Sequence, residues 1–139
     1  MIPSSELRIG NYVLVDQSVH CVSMIDQTSS ATTAIFADEK GVEKETNSRQ
    51  VLDSLQPIVL SDAILRQCQF VYHTYFKFWQ LVTGQEESRS EMDIDGDYNV
   101  IDFMRKPIVK KVTSLHQLQN IYFMLNGKEL AYQHGSLTV

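Results

Sequence analysis

The stretch Ser114 to Leu130, SLHQLQNIYFMLNGKEL, is the longest run of helical period in a chain of 139 residues. Ser114 with Gln117 reads as an S-x-x-Q capping box, in which each end satisfies an orphan backbone N–H of the first turn. Gly127 after Asn126 supplies a left-handed stop. At about 100° per residue, Leu115, Leu118, Ile121, Tyr122 and Leu125 share one arc of about 120°, the width of an ordinary core stripe. His116, Gln117, Asn120, Phe123 and Met124 fall off that arc. The helix therefore has a second face, part apolar and part hydrogen-bonding, which needs cover from the same chain or from a partner.

Short strand patterns dominate elsewhere. Leu7 to Val15 is rich in β-branched and aromatic residues and reads as a strand, with Gly10 marking a bulge or a close backbone approach. Val19 to Ile25 follows the polar turn Asp16-Gln17-Ser18, and Thr32 to Ala37 is a third strand. After Asp38-Glu39-Lys40-Gly41 comes a weaker, mostly polar fourth, Val42 to Thr46. Four short strands with tight turns predict a small antiparallel meander or a partial barrel of the SH3-like kind. Asn47 to Gln56 reads as a linker.

Beyond Pro57, Ser61 is a good N-cap and Asp62 suits the positive end of a short helix reaching Cys68. Leu60 and Leu65 have the spacing of a hydrophobic staple. Phe70 to Val82 is an aromatic strand or strand pair. Read as one strand, Phe70, Tyr72, Thr74, Phe76 and Phe78 form its core face, and Val71, His73, Tyr75, Lys77 and Trp79 the other. Gln85 to Glu91 reads as an exposed loop. A hairpin around Asp95-Gly96 and a strand from Ile108 to Val112 lead into the last helix.

Composition bounds the class. Hydrophobic residues are 43% and charged residues 21% of the chain, which excludes a disordered polyelectrolyte. The net charge of −5 argues against a protein that coats nucleic acid by charge alone. The charge is unevenly spread: residues 86–104 hold one basic and seven acidic groups, and residues 105–139 hold five basic and one acidic. These blocks can complement each other or steer a partner. The opening Met1-Ile2-Pro3-Ser4-Ser5-Glu6 lacks a signal-peptide pattern, and no apolar run approaches the ~20 residues of a membrane span. A cytoplasmic protein without membrane association is expected. Cys21 and Cys68 read as reduced core residues.

The chemical motifs are few. Asp93, Asp95 and Asp97 match the first ligand positions of a calcium-binding EF-hand loop. Tyr98 then occupies the place of the required glycine and Met104 that of the bidentate glutamate. Asp-Gly between alternating residues instead signals a hairpin with a type I′ turn. His20, His73, His116 and His134 have no metal-ligand spacing. No nucleophile elbow, phosphate-binding glycine loop or H-E-x-x-H is present. No catalytic residue, cofactor site or metal site is assigned, and the chain is not expected to be an enzyme.

The opening S-x-E-L-R-I-G-N-Y-V (Ser4 to Val13), the middle P-I-x-L-S (Pro57 to Ser61) and the closing H-Q-L-Q-N-x-Y-F-x-L-x-G-x-E-L (His116 to Leu130) resemble the small uncharacterised proteins carried by bacteriophages and prophages of gut anaerobes. The resemblance implies an accessory protein of a mobile element and brings no activity, cofactor or catalytic residue.

The expectation is an α+β fold, mostly antiparallel β, with an SH3-like barrel over 1–56 and an α+β part over 57–139, or one continuous domain 1–139. It has a short central helix and a capped C-terminal helix. The expected function is a protein–protein interaction module without catalysis. Its surface would be His116, Gln117, Asn120, Phe123 and Met124, meeting an unknown protein or a second copy in a homodimer. The alternative is weak binding of single-stranded nucleic acid by Tyr75, Lys77, Trp79, Arg105, Lys106, Lys110 and Lys111.

Overall fold

A computed structural model describes residues 2–27, 32–36, 49–51, 55–82 and 90–133. The fold is α+β with mostly antiparallel strands and two α-helices. It divides into two compact units, Met1–Val59 with Ser114–Asn120, and Leu60–Thr113 with Ile121–Val139. The first unit thus includes the start of the last helix.

The first unit opens with one turn of 3-10 helix, Ser4–Glu6, and continues as the meander β1 (Tyr12–Val15), β2 (Ser18–Gln27), β3 (Thr32–Phe36) and β4 (Arg49–Val51). β1 starts at Tyr12 rather than Leu7 because Gly10 takes φ 98°. There the Gly10 N–H reaches Val22 O at 2.8 Å, and the Val22 N–H reaches Asn11 O at 2.8 Å. β1 and β2 join through a two-residue turn with positive φ at both Asp16 and Gln17, the backbone twist a tight hairpin requires. β4 lies inside the stretch read as a linker, whose three-residue strand is too short to show alternation. The expected strand Val42 to Thr46 lies outside the described residues.

One isolated bridge, Leu14 with Gln56, meets the other edge of β1. No closed barrel is found among the described residues. Val13 and Val15 alternate inward with Ile2, Leu7, Val22 and Leu55 to form the core. Each such side chain contributes roughly 1.5–3 kcal/mol of burial.

The second unit begins with α1 (Asp62–Gln67). Ser61 caps it, its Oγ accepting from the Ile64 N–H at 3.3 Å. Leu60 and Leu65, the expected staple pair, are both buried. A Schellman motif ends the helix. The Phe70 N–H donates to Leu65 O at 3.0 Å and the Gln69 N–H to Arg66 O at 2.9 Å, with Gln69 at φ 73°. A five-stranded meander follows: β5 (Val71–His73), β6 (Phe78–Leu81), β7 (Met92–Asp95), β8 (Val100–Ile101) and β9 (Pro107–Val109). Trp79 pairs with Ile94, Leu81 with Met92, and Ile94 with Val100. Cross-strand partners share a face, and all five of these side chains are buried.

This register corrects the reading of the aromatic stretch as a single strand. The chain reverses at residues 74–77, so Tyr72 and Trp79 share one face and His73 and Phe78 the other. Trp79 is 3% exposed and Phe76 57%, the reverse of the expected faces. The Asp95-Gly96 hairpin forms, but its turn is not type I′. Asp95 begins a three-residue loop in which Tyr98, not Gly96, has positive φ. The Tyr98 N–H donates to Asp95 O at 3.1 Å and the Asp95 N–H to Asn99 O at 3.0 Å. Asp102 begins a second loop of the same construction, with Arg105 at φ 65° and bonds from Arg105 N–H to Asp102 O and from Asp102 N–H to Lys106 O. β9 is shorter than expected, ending at Val109.

α2 spans Leu115–Asn126 and stops at Gly127, φ 72°, whose N–H bonds to Phe123 O at 2.8 Å. The expected capping box does not form. Ser114 is buried with its Oγ unpartnered, and Gln117 Nε2 donates to Glu6 Oε1 at 3.4 Å. Ser114 is held by strand-like pairing instead, since it bridges to Val59 and the Leu115 N–H bonds to Ile58 O. Leu115, Leu118 and Tyr122 are buried as expected, while Leu125 is half exposed. Among the described residues no helix is long and apolar enough to cross a membrane.

Candidate functional site

The polar face of α2 has its partner inside the first unit. Gln119 stands 1% exposed. Its Oε1 accepts from the Tyr12 N–H at 2.9 Å and its Nε2 donates to Gly10 O at 3.0 Å. Asn120 Nδ2 donates to Glu6 O at 2.6 Å, and Asn120 Oδ1 accepts from Asn11 Nδ2 at 2.8 Å and Arg8 Nε at 3.1 Å. Asn11 Oδ1 in turn accepts from the Arg8 N–H at 2.6 Å. His116, 2% exposed, places Nε2 at 3.0 Å from Glu6 Oε1. The Glu6 carboxyl is held below its ordinary range, first by that hydrogen bond and then by the one from Gln117, against the opposing effect of burial.

Glu6, Arg8, Gly10, Asn11 and Tyr12 belong to the opening motif, and His116, Gln117, Gln119 and Asn120 to the closing one. The two segments are therefore each other's complement. Backbone groups around Gly10 that no strand ladder reaches find side-chain amides in α2, as buried peptide groups must. This is a structural lock, and it takes His116, Gln117 and Asn120 of the expected interaction surface into contacts within the unit. Of the other two residues of that surface, Phe123 is partly exposed and Met124 largely so.

The alternative surface separates differently. Trp79 leaves it for the core, with the Tyr72 ring at 5.0 Å and the Arg66 guanidinium at 5.3 Å from its centroid. Tyr75 and Lys77 sit on the β5–β6 turn and are exposed, as are Arg105 and Lys106 on the β8–β9 turn. The structure brings these two turns together. The Arg105 guanidinium lies 5.1 Å from the Phe78 ring centroid and 5.9 Å from that of Phe76, and Arg105 Nη2 donates to Phe76 O. The Tyr75 ring meets Phe76 edge-on at 4.8 Å. Lys110 and Lys111 follow β9 and are exposed, and the Lys111 N–H bonds to Asn99 Oδ1.

The tips carry more apolar surface than expected. Tyr75 is 85% exposed, Phe103 89% and Met104 63%. The sequence reading missed Phe76, Phe103 and Met104. A usable signal was present: Asp102-x-x-Arg105-Lys106 repeats the turn grammar of Asp95-x-x-Tyr98-Asn99, which places residues 103 and 104 on a turn.

The acidic stretch is occupied by its own hairpin. Asp95 accepts from the N–H groups of Asp97 and Asn99 and from Asn99 Nδ2. Burial alone would raise its carboxyl, but these bonds bring it below the ordinary range. Asp93 accepts from Ser90 Oγ. Among the described residues no three metal-ligating side chains cluster. A recess of about 200 Å³ is lined by Cys68, Leu81, Tyr122, Lys128 and Glu129 among others. Burial pushes the Cys68 thiol up to about 12, which keeps it protonated at neutral pH and a poor nucleophile.

No family model, no curated protein and no solved structure matches the chain.

Proposed function

We propose that this chain is a binding module without catalytic activity, which meets a macromolecular partner through the tips of the β5–β6 and β8–β9 hairpins. The reading rests on one observation: Arg105 ties together two turns whose outermost side chains, Tyr75 and Phe103, are large rings left open to solvent. Aromatic residues concentrated on neighbouring, geometrically held turns are characteristic of contact surfaces, where Tyr, Phe, Met and Arg are enriched. The face of α2 is the weaker candidate, because the lock with the opening segment already uses its polar half. The motif resemblance supports an accessory role in a bacteriophage or prophage, acting in the cytoplasm of the host.

A photo-crosslinking amino acid placed at Phe103, with the same label at the exposed Ile9 as control, tests the reading in expressing cells. Adducts formed at position 103 and absent at position 9 are expected. No adduct at position 103, or the same adducts from both positions, overturns it.

A further inference from the structure

We infer that the hairpin-tip surface of the second unit binds single-stranded nucleic acid, an inference that rests on the binding-module reading above and names its ligand. The chain is acidic overall, yet from Phe103 to Lys111 it holds Arg105, Lys106, Lys110 and Lys111 and no carboxylate, and Lys77 stands on the neighbouring turn. Among the described residues none of these five cations is in an ion pair. Of the acids just before this block, Asp102 and Asp95 are engaged by backbone, and Asp97 is exposed on the β7–β8 turn. Asp102 Oδ1 accepts from the N–H groups of Met104 and Lys106, and the Asp95 carboxylate closes its own turn. Lys128 with Glu91, at 2.6 Å, is the one ion pair between the acidic and basic blocks among the described residues. Among the described residues these five cations therefore find no acidic partner, and all five are exposed.

Charge alone fits any polyanion. The rings narrow the choice. Tyr75 and Phe103 are exposed over most of their surface, and the Arg105 guanidinium is already set over aromatic rings. Exposed rings among cations are the stacking platform on which unpaired bases lie while lysines follow the phosphates. A duplex presents phosphates but hides its base faces, and a peptide of aspartate and glutamate presents charge without aromatic faces.

The test is fluorescence anisotropy of the full chain with a labelled oligothymidylate of about 20 nucleotides. Binding is expected at about 50 mM salt. With four phosphate contacts, log affinity should fall against log salt with a slope of about −3. The double variant Tyr75→Ala/Phe103→Ala should lose about tenfold or more in affinity with an unchanged melting temperature, since both side chains are exposed. A duplex of the same length should bind more weakly. Absence of binding at low salt, unchanged affinity in the double variant, or equal competition by polyglutamate each overturns the inference. Crosslinks at position 103 that resist nuclease would do so too while leaving the binding-module reading intact, whereas failure of any crosslink to form at position 103 removes both.

Discussion

Two polar residues of the last helix show how burial and partnership together decide what a side chain contributes. Ser114 is buried and its hydroxyl bonds to nothing, although its place in the sequence is that of an N-cap. A working cap contributes about 1 kcal/mol, and an orphaned hydroxyl subtracts. Ser114→Ala should therefore leave the urea midpoint unchanged or raise it, where the capping box would have demanded a loss. Gln119 is the opposite case, because its amide satisfies the Tyr12 N–H and Gly10 O at once. Gln119→Leu keeps the apolar volume and strands both backbone groups. At 1–3 kcal/mol for each unsatisfied group, the expected cost is about 3 kcal/mol, readable as a lowered denaturation midpoint. Nothing in the residue types separates these two outcomes. Both depend on which backbone atoms the fold brings within reach.

At the level of elements, the turns carry more information than the strands. The β1–β2 hairpin closes through Asp16 and Gln17, each at positive φ, and aspartate tolerates that region better than glutamine does. Gln17→Gly should relieve the strain and stabilise the protein by about 0.5–1 kcal/mol after its greater chain entropy is counted, measured as a higher melting temperature. A drop would mean that the glutamine side chain makes a contact that outweighs its backbone cost. The turns at Asp95 and Asp102 explain why the Asp-Gly signal located a hairpin but misjudged its geometry. The aspartate side chain bonds the loop's own N–H groups and selects a three-residue loop, so the left-handed residue is Tyr98 and the glycine is unstrained. The aromatic stretch was corrected by a different turn, closed by a backbone bond from the Lys77 N–H to His73 O. A turn of four residues reset the alternation, and Trp79 moved inward as Phe76 moved out.

For the molecule as a whole, the acid response follows from the lock between the opening segment and α2. Glu6 is lowered in the folded protein by its bond from His116. A carboxyl with a lower value folded than unfolded adds stability that is present above the unfolded value near 4.5 and is lost as pH falls through the folded value. Stability should therefore decline below about pH 4.5, and Glu6→Gln should remove part of that decline. Asp95 shifts in the same direction, so the slope is reduced rather than abolished. Urea midpoints of the two proteins at neutral and acid pH decide the matter, and parallel curves would count against the Glu6–His116 contact.

Much of this architecture was legible in the residues. Period and punctuation located α2 and its stop at Gly127, the Ser61 cap of α1, and the strands from Tyr12 through Phe36, because each depends on neighbours a few positions apart. Local signals also showed that α2 has a second face. They did not identify what lies against it. The lock between Glu6–Tyr12 and His116–Asn120 joins groups more than a hundred residues apart, and the two hairpin tips meet through one arginine contacting backbone and rings 29 and 27 residues earlier. Hydrogen-bond complementarity at that separation leaves no periodic trace. It was decided only when folding removed water and required each buried N–H and carbonyl to find a partner.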